Sequence, residues 1–298
     1  MRQNMEFDEF ADFIAGEVCG YLPEPFRGVD ISLRKVMKNN GMELTGLIIG
    51  GNTGNVCPMI YLEPYFKAYK AGKDPEAILM EIAAFRVRYD FSASFDPDRI
   101  TDFERARNII VPRLVNLAKN RTVLAERPHS ILTDLAVTYH IPVSIGTASV
   151  PITCSLAEKW GVGTEELHAL AVRNMSRLLP GTFRGANAVV NDAREEDIAA
   201  PAPEDEPFFV LSNEHRWYGA TVILDDAFMK TVADQLGSEF YILPCNVHQL
   251  LAMSADSETD AEDLKGMVAT VNFMTVAPED RLSNNVYRYS VGQGLRLA

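Results

Sequence analysis

No apolar run in this sequence approaches the ~18 to 20 residues needed to span a bilayer. The amino end, MRQNMEFDEF, has acids where a signal peptide would carry its hydrophobic stretch. Both absences predict a soluble, cytoplasmic chain with no membrane attachment. Cysteine is sparse: Cys19, Cys57, Cys154 and Cys245 lie far apart in 298 residues. A chain of this length can bury its own core, so disulfide staples are not needed and free thiols in a reducing compartment are expected. Positive charge is short as well, 28 Lys and Arg against 41 Asp and Glu, for a formal charge of −13 and a pI near 4.9. Such a field repels a phosphate backbone, so generic nucleic-acid binding is disfavoured unless a local basic patch overrides it. Metal and nucleophile signatures are missing too. There is no Cys-x-x-Cys, no His-Glu-x-x-His and no recognised catalytic serine or cysteine motif, so no metal and no cofactor is predicted.

What is present is ordinary globular composition, 47% hydrophobic and 23% charged. The sharpest shift is DAREEDIAAPAPEDEP at 192–207, with seven acids, one arginine and three prolines. It cannot bury enough apolar surface to offset its ordering entropy, so it reads as a linker or long surface loop. Before it, Phe7, Phe10, Ala11, Ile14 and Val18 recur at helical spacing over 6–19. Three β-type runs follow, 29–38, 43–49 and 58–62, separated by turn chemistry and read as a meander. Asp74-Pro75-Glu76 opens a helix to about Tyr89. Thr101 and Glu104 form a capping box for another, inside which Pro112 predicts a kink or a break.

Alternation from Ile131 to Val143 predicts one long strand, turned by Gly146-Thr147 into a second over 148–153, with a helix from Thr164 to about Leu178. After the linker the order returns: strands at 208–212 and 217–224, a helix capped by Asp225 and ended by Gly237, strands at 239–243 and 247–253. A helix opened by Thr259 and Glu262, with Leu264, Met267, Val268 and Val271 inward, and a strand at 286–289 complete it. The fold class predicted is α+β: repeated hairpin-plus-helix units forming mainly antiparallel sheets with helices packed on them, in two subdomains. The predicted regions are 1–126 (helix, three-strand meander, helices), 127–191 (a hairpin-helix unit), the linker 192–207, and 208–298 (a second α+β region).

Candidate chemistry is thin, and each candidate has a plainer structural reading. Cys245-Asn-Val-His248 places a thiol and an imidazole three apart, a spacing that could pair a nucleophile with a base, yet on an extended segment the two point apart. Glu63, Asp225, Asp226 and Glu214 beside His215 are the carboxylate candidates for acid and base work. Asp225 is accounted for by capping and Glu63 by the turn at Pro64. His129, His140 and His168 are scattered singly, His168 on a helix surface. The glycine-rich loop Gly50 to Asn55 lacks the lysine of a phosphate cradle and joins two strands, and Gly161-Val162-Gly163-Thr164 reads as helix capping. Nine basic residues from Arg86 to Arg127 read as a solvated, salt-paired face. Trp217 and Tyr218, if exposed, would make a contact surface; within a β-type run they read as core.

Several stretches together carry a family likeness: LTGLIIGG followed by PMIYLEPYFKAYKAGKDPEAIL, the helix WGVGTEELHALAVRN, YGATVIL leading to QLGSEFYILPCNVHQLLAM, and VYRY near the end. The combination resembles domain-of-unknown-function family 5688 of anaerobic gut bacteria, over nearly the whole chain apart from the linker. The second half also looks like a broader group in which a similar strand, helix, strand and ILP-type turn recur. The resemblance implies a bacterial, cytoplasmic setting and brings no reaction, catalytic residue or cofactor with it. The sequence therefore predicts a non-catalytic binding or protein-interaction module with a protein partner. A small-molecule hydrolase with an inter-domain cleft is the alternative, and a nucleic-acid-associated protein using 86–127 the third reading.

Overall fold

The computed structural model describes residues 5–26, 28–50, 57–89, 96, 98–194, 207–255 and 260–298, without the side chains of 191–194 and Cys245. The chain divides into two compact units, Met1–Pro97 and Asp98–Ala298. Both combine helices with antiparallel sheets, so the fold is α+β. The expected boundary at 126/127 falls inside the second unit.

In the first unit α1 (Phe7–Glu17) precedes β1 (Ile31–Met37), β2 (Glu43–Ile49) and β3 (Met59–Tyr61), which form the meander in the order β1-β2-β3. α2 (Glu63–Lys70), which the sequence reading did not separate, and α3 (Pro75–Arg88) follow. Phe10 and Ile14 of α1, Leu47 and Ile49 of β2, and Ile78 and Ile82 of α3 meet in one core. The glycine-rich loop lies outside the described residues beyond Gly50.

The second unit opens with α4 (Asp98–Thr101) and α5 (Phe103–Ala106), then β4 (Val111–Asn116), α6 (Arg121–Leu124), β5 (His129–Leu132), β6 (Leu135–Ser144) and β7 (Ala148–Pro151). The helix expected to continue from Thr101 ends at Ala106. Its cap is Asp102, whose carboxylate accepts from Glu104 N, and not the Thr101 and Glu104 box. Pro112 neither kinks nor ends a helix. It sits in β4 opposite Tyr139, and among the described residues β4 pairs with β6 alone, an edge position where a missing N–H is tolerated. The single long strand expected from Ile131 is a hairpin, β5 to β6, turned at Thr133 (φ 56°) and Asp134.

α7 (Cys154–Trp160) and α8 (Thr164–Leu178) lead to β8 (Gly181–Gly185) and α9 (Ala186–Arg194), which the sequence did not signal. β9 (Phe209–Asn213), α10 (Asp226–Leu236), β10 (Glu239–Asn246), β11 (Gln249–Ser254), α11 (Ala261–Thr275), β12 (Tyr287–Ser290) and β13 (Gly294–Leu297) complete the chain. The larger sheet runs β13-β12-β10-β11-β9-β8. Since β8 pairs with β9, the expected 127–191 and 208–298 regions share one sheet. Most of the acidic linker lies outside the described residues. Residues 219–224, expected as a strand, form a 3-10 helix with Gly219 to Ile223 all buried. Asp225 caps α10 as predicted, accepting from Ala227 N and Phe228 N.

Leu135, Val137, Tyr139 and Ile141 of β6 enter the main core with Leu167 and Ala171 of α8 and Phe240 and Ile242 of β10. On α11 only Leu264, Val268 and Asn272 are buried; Met267 and Val271, expected inward, are exposed.

Candidate functional site

Alternation sends the even residues of β6 to the face opposite that core. Register places Arg113, Thr138 and His129 side by side across β4, β6 and β5, with His140 two residues along. Thr138 Oγ1 donates to Arg113 O at 3.2 Å and lies 3.3 Å from His140 Nε2; Ser149 Oγ lies 3.2 Å from His140 Nδ1. His140 is therefore satisfied at both nitrogens as a neutral ring. Burial first, then the Arg113 and Arg127 charges, hold its pKa well below the ordinary histidine value. Burial and Arg113 also pull the Arg127 guanidinium down, with Glu126 opposing. Arg113 Nε is buried with no hydrogen-bond partner among the described residues, and its guanidinium lies 4.2 Å from the Tyr218 ring centroid.

Tyr218 arrives on an unusual backbone, with Arg216 at φ 49° and Tyr218 at φ 50°. The clamp is Asn213, buried at the end of β9: its Oδ1 accepts from His215 N and Trp217 N, and its Nδ2 donates to Trp217 O at 2.9 Å. Tyr218 N donates to His248 Nδ1 at 3.3 Å, and the two rings stack at 5.6 Å. His248 Nε2 lies 3.8 Å from Asp280 Oδ1. With Nδ1 accepting from Tyr218 N, Nε2 is the nitrogen that faces the Asp280 carboxylate.

These contacts place the sequence candidates. The Cys245 side chain lies outside the described residues, while the His248 half of the pair is taken up by Tyr218 and Asp280. Asp225 caps α10 and accepts from Ser176 Oγ at 2.6 Å; Asp226, Glu214 and His215 are exposed. Glu63, in the first unit, accepts from Thr45 N at 2.6 Å and ties β2 to α2. His168 is not a plain surface residue: its Nδ1 lies 3.2 Å from Tyr139 OH, which is 2.7 Å from Ser130 Oγ. Burial raises the Tyr139 phenol, so it stays protonated and cannot activate that serine. No group of three or more metal-ligating side chains occurs among the described residues. Trp217 is 5% exposed and is core, not contact surface.

The basic segment is divided. Arg105 pairs with Asp102 at 3.6 Å and Arg107 with Glu104 at 3.0 Å, as a salt-paired face requires. Arg86 is instead fully buried in the first unit, donating to Ile49 O at 2.9 Å and Gly50 O at 3.1 Å over the Phe26 ring.

From His248 the surface continues to α11. Val247 N donates to Asp280 O, and the neighbouring Arg281 donates to Val276 O and Phe273 O at the helix end. Met267, Val271 and Met274 recur on one side of α11 beside its buried stripe and are 44%, 37% and 75% exposed; Phe273 is 81% exposed. The signal for this surface was in the sequence: α11 holds more apolar residues than one core-facing stripe can bury.

His140 gives a pH prediction. Its folded pKa lies below the unfolded value of 6.5, so below that pH the unfolded chain takes up a proton that the native chain refuses. Stability then falls with pH, by at most about 1.4 kcal/mol per unit from this one group. His140→Gln should flatten that part of the acid limb in urea midpoints compared at pH 7.5 and 5.5. An unchanged pH dependence would remove His140 from the account.

The model of the family described as Family of unknown function (DUF5688) matches residues 7–291. No curated protein and no solved structure matches the chain.

Proposed function

The chain belongs to the DUF5688 family, described as of unknown function, and we propose that it is a cytoplasmic bacterial protein-interaction module without catalysis of its own. The observation that supports this is the α11 stripe of Met267, Val271 and Met274, exposed on a helix whose end Arg281 holds through Val276 O and Phe273 O. Apolar side chains concentrated on one helix and rimmed by polar groups mark a partner surface more than scattered ones do. Methionine suits it, because an unbranched thioether adapts to the shape of whatever covers it. His140 and His248 fit this reading: His140 has Thr138 and Ser149 hydroxyls at its two nitrogens, and His248 Nδ1 accepts from Tyr218 N, so neither nitrogen pair is held open toward a substrate.

The test uses Met267→Ser with Met274→Ser in the full chain. Both side chains are exposed, so the thermal midpoint should stay within about 2 °C of the parent. Affinity for the protein captured and then purified with the parent chain should fall about tenfold or more, the scale of two methionines withdrawn from an interface. Equal affinity of parent and variant for that purified partner would overturn the reading.

A further inference from the structure

A cleft of about 740 Å³ opens between the loop after α5 and the last turns of α8, lined by Glu104, Arg107, Asn108, Arg173, Asn174 and Arg177. Asn174 is 3% exposed and its Nδ2 donates to Arg107 O at 2.8 Å and Ile110 O at 2.9 Å, which fixes the loop against the helix and uses up those carbonyls. Arg107 is neutralised by Glu104, whose oxygens accept at 3.0 and 3.1 Å. Arg177 spends one N–H on Asn108 O at 2.6 Å. Arg173 has no hydrogen bond or ion pair to another described residue. Four residues apart, Arg173 and Arg177 project from one side of α8.

The C-terminal end of a helix attracts cations, and that accounts for Arg177 in the last turn of α8. It does not account for Arg173 a turn earlier, nor for an open cleft whose lining carries a surplus of positive charge in a chain of net charge −13. Two guanidiniums, that of Arg173 and the remaining donors of Arg177, suit a phosphate, whose oxygens accept in pairs. The volume lies in the range of small-molecule sites, roughly 300 to 1,000 Å³, and exceeds what phosphate alone fills. None of the lining residues is aromatic, so a nucleobase would have only guanidinium planes to stack on. The Glu104 carboxylate and the Asn108 amide suit hydroxyl groups instead. We infer that this cleft binds a phosphorylated sugar or polyol, with Arg173 and Arg177 on the phosphate and Glu104 and Asn108 toward the hydroxyls.

Titration calorimetry on the full chain tests it with glucose 6-phosphate, inorganic phosphate, glucose and ATP as probes. Saturable one-to-one binding of glucose 6-phosphate is expected, stronger than that of inorganic phosphate, with no heat from glucose. Arg173→Gln with Arg177→Gln should weaken binding about tenfold or more, the scale of lost charge-assisted hydrogen bonds. Arg105→Gln, outside the cleft, should leave it unchanged. Glu104→Gln should strengthen inorganic phosphate binding by releasing Arg107, a gain that a merely unfolded variant cannot give. No saturable heat from glucose 6-phosphate at millimolar concentration, or equal affinity in the double arginine variant, would overturn the proposal. Tighter binding of ATP would overturn the sugar assignment.

Discussion

Replacing Asp134 with alanine should destabilise the second unit by about 3 to 5 kcal/mol, because one carboxylate there holds together segments far apart in the chain. Its Oδ2 accepts from Ser283 Oγ at 2.6 Å and Asn285 Nδ2 at 2.9 Å, and its Oδ1 from Tyr287 OH at 2.5 Å. Tyr287 is completely buried, and burial together with Asp134 pushes its phenol far above the ordinary tyrosine value. It is thus a fixed donor, deprived of its carboxylate acceptor when Asp134 is removed. A charged acceptor is worth about 1.5 to 3 kcal/mol per hydrogen bond, and three bonds on one group do not add fully. Asp134→Asn should cost less, about 2 kcal/mol, since the amide keeps one oxygen and repels donors at the other position. Tyr287→Phe should cost about 1 kcal/mol, and the double variant should show coupling above about 1 kcal/mol. Urea denaturation at pH 7 reads all four proteins. A cost below 1 kcal/mol for the alanine variant would mean that the turn is held by its backbone alone.

That network also shows where the sequence could and could not be read. α8 begins and ends where its periodicity and first-turn acids place it, and Asp225 caps α10, because both signals lie within a few residues of the structure they specify. The β5 to β6 hairpin was hidden for a definite reason. Its two-residue turn pairs Ile131 with Ala136, so the face assignment flips across it, and an unbroken alternation carries Ile131 into the core on paper. In the fold Ile131 is 67% exposed and Leu135 is fully buried. No turn signature marked the place, since Thr133 is an uncommon choice for a positive φ and is secured by its hydroxyl bond to Leu132 O. Pro112 misled in the same way, because the rule against proline in helices says nothing about an edge strand. Arg113, Tyr218 and His248 meet only through pairings across two sheets, which no local spacing encodes. The arginine cleft was partly legible: Arg173 and Arg177 share a helix face at i and i+4, while the buried Asn174 anchor was not.

Gly219→Ala should cost at least about 3 kcal/mol and unseat the Tyr218 and His248 stack together. A Cβ at this position would lie 2.3 Å from Ser212 Oγ, 2.4 Å from His248 O and 2.9 Å from Asn213 N. The serine hydroxyl could rotate, but only by giving up its 2.8 Å bond to His248 O. The other two atoms are backbone: one belongs to the β10 to β11 turn, the other to the residue that clamps Trp217. Neither can give by the required ångström without moving a strand, so overpacking and broken hydrogen bonds act together. Gly266→Ala is the matched control. Its Cβ would meet nothing within 4 Å in the interior of α11, so it should stabilise by about 0.5 to 1 kcal/mol. Thermal melts of the two variants should therefore move in opposite directions. In the Gly219 variant the His248 ring resonances, shifted by the Tyr218 ring in the parent, should return toward those of an exposed histidine. If Gly219→Ala folds with parental stability and an unshifted His248 spectrum, the close crossing of β9, the 219–224 helix and the β10 to β11 turn is not what fixes Tyr218. The clamp at Asn213 would then have to hold it alone.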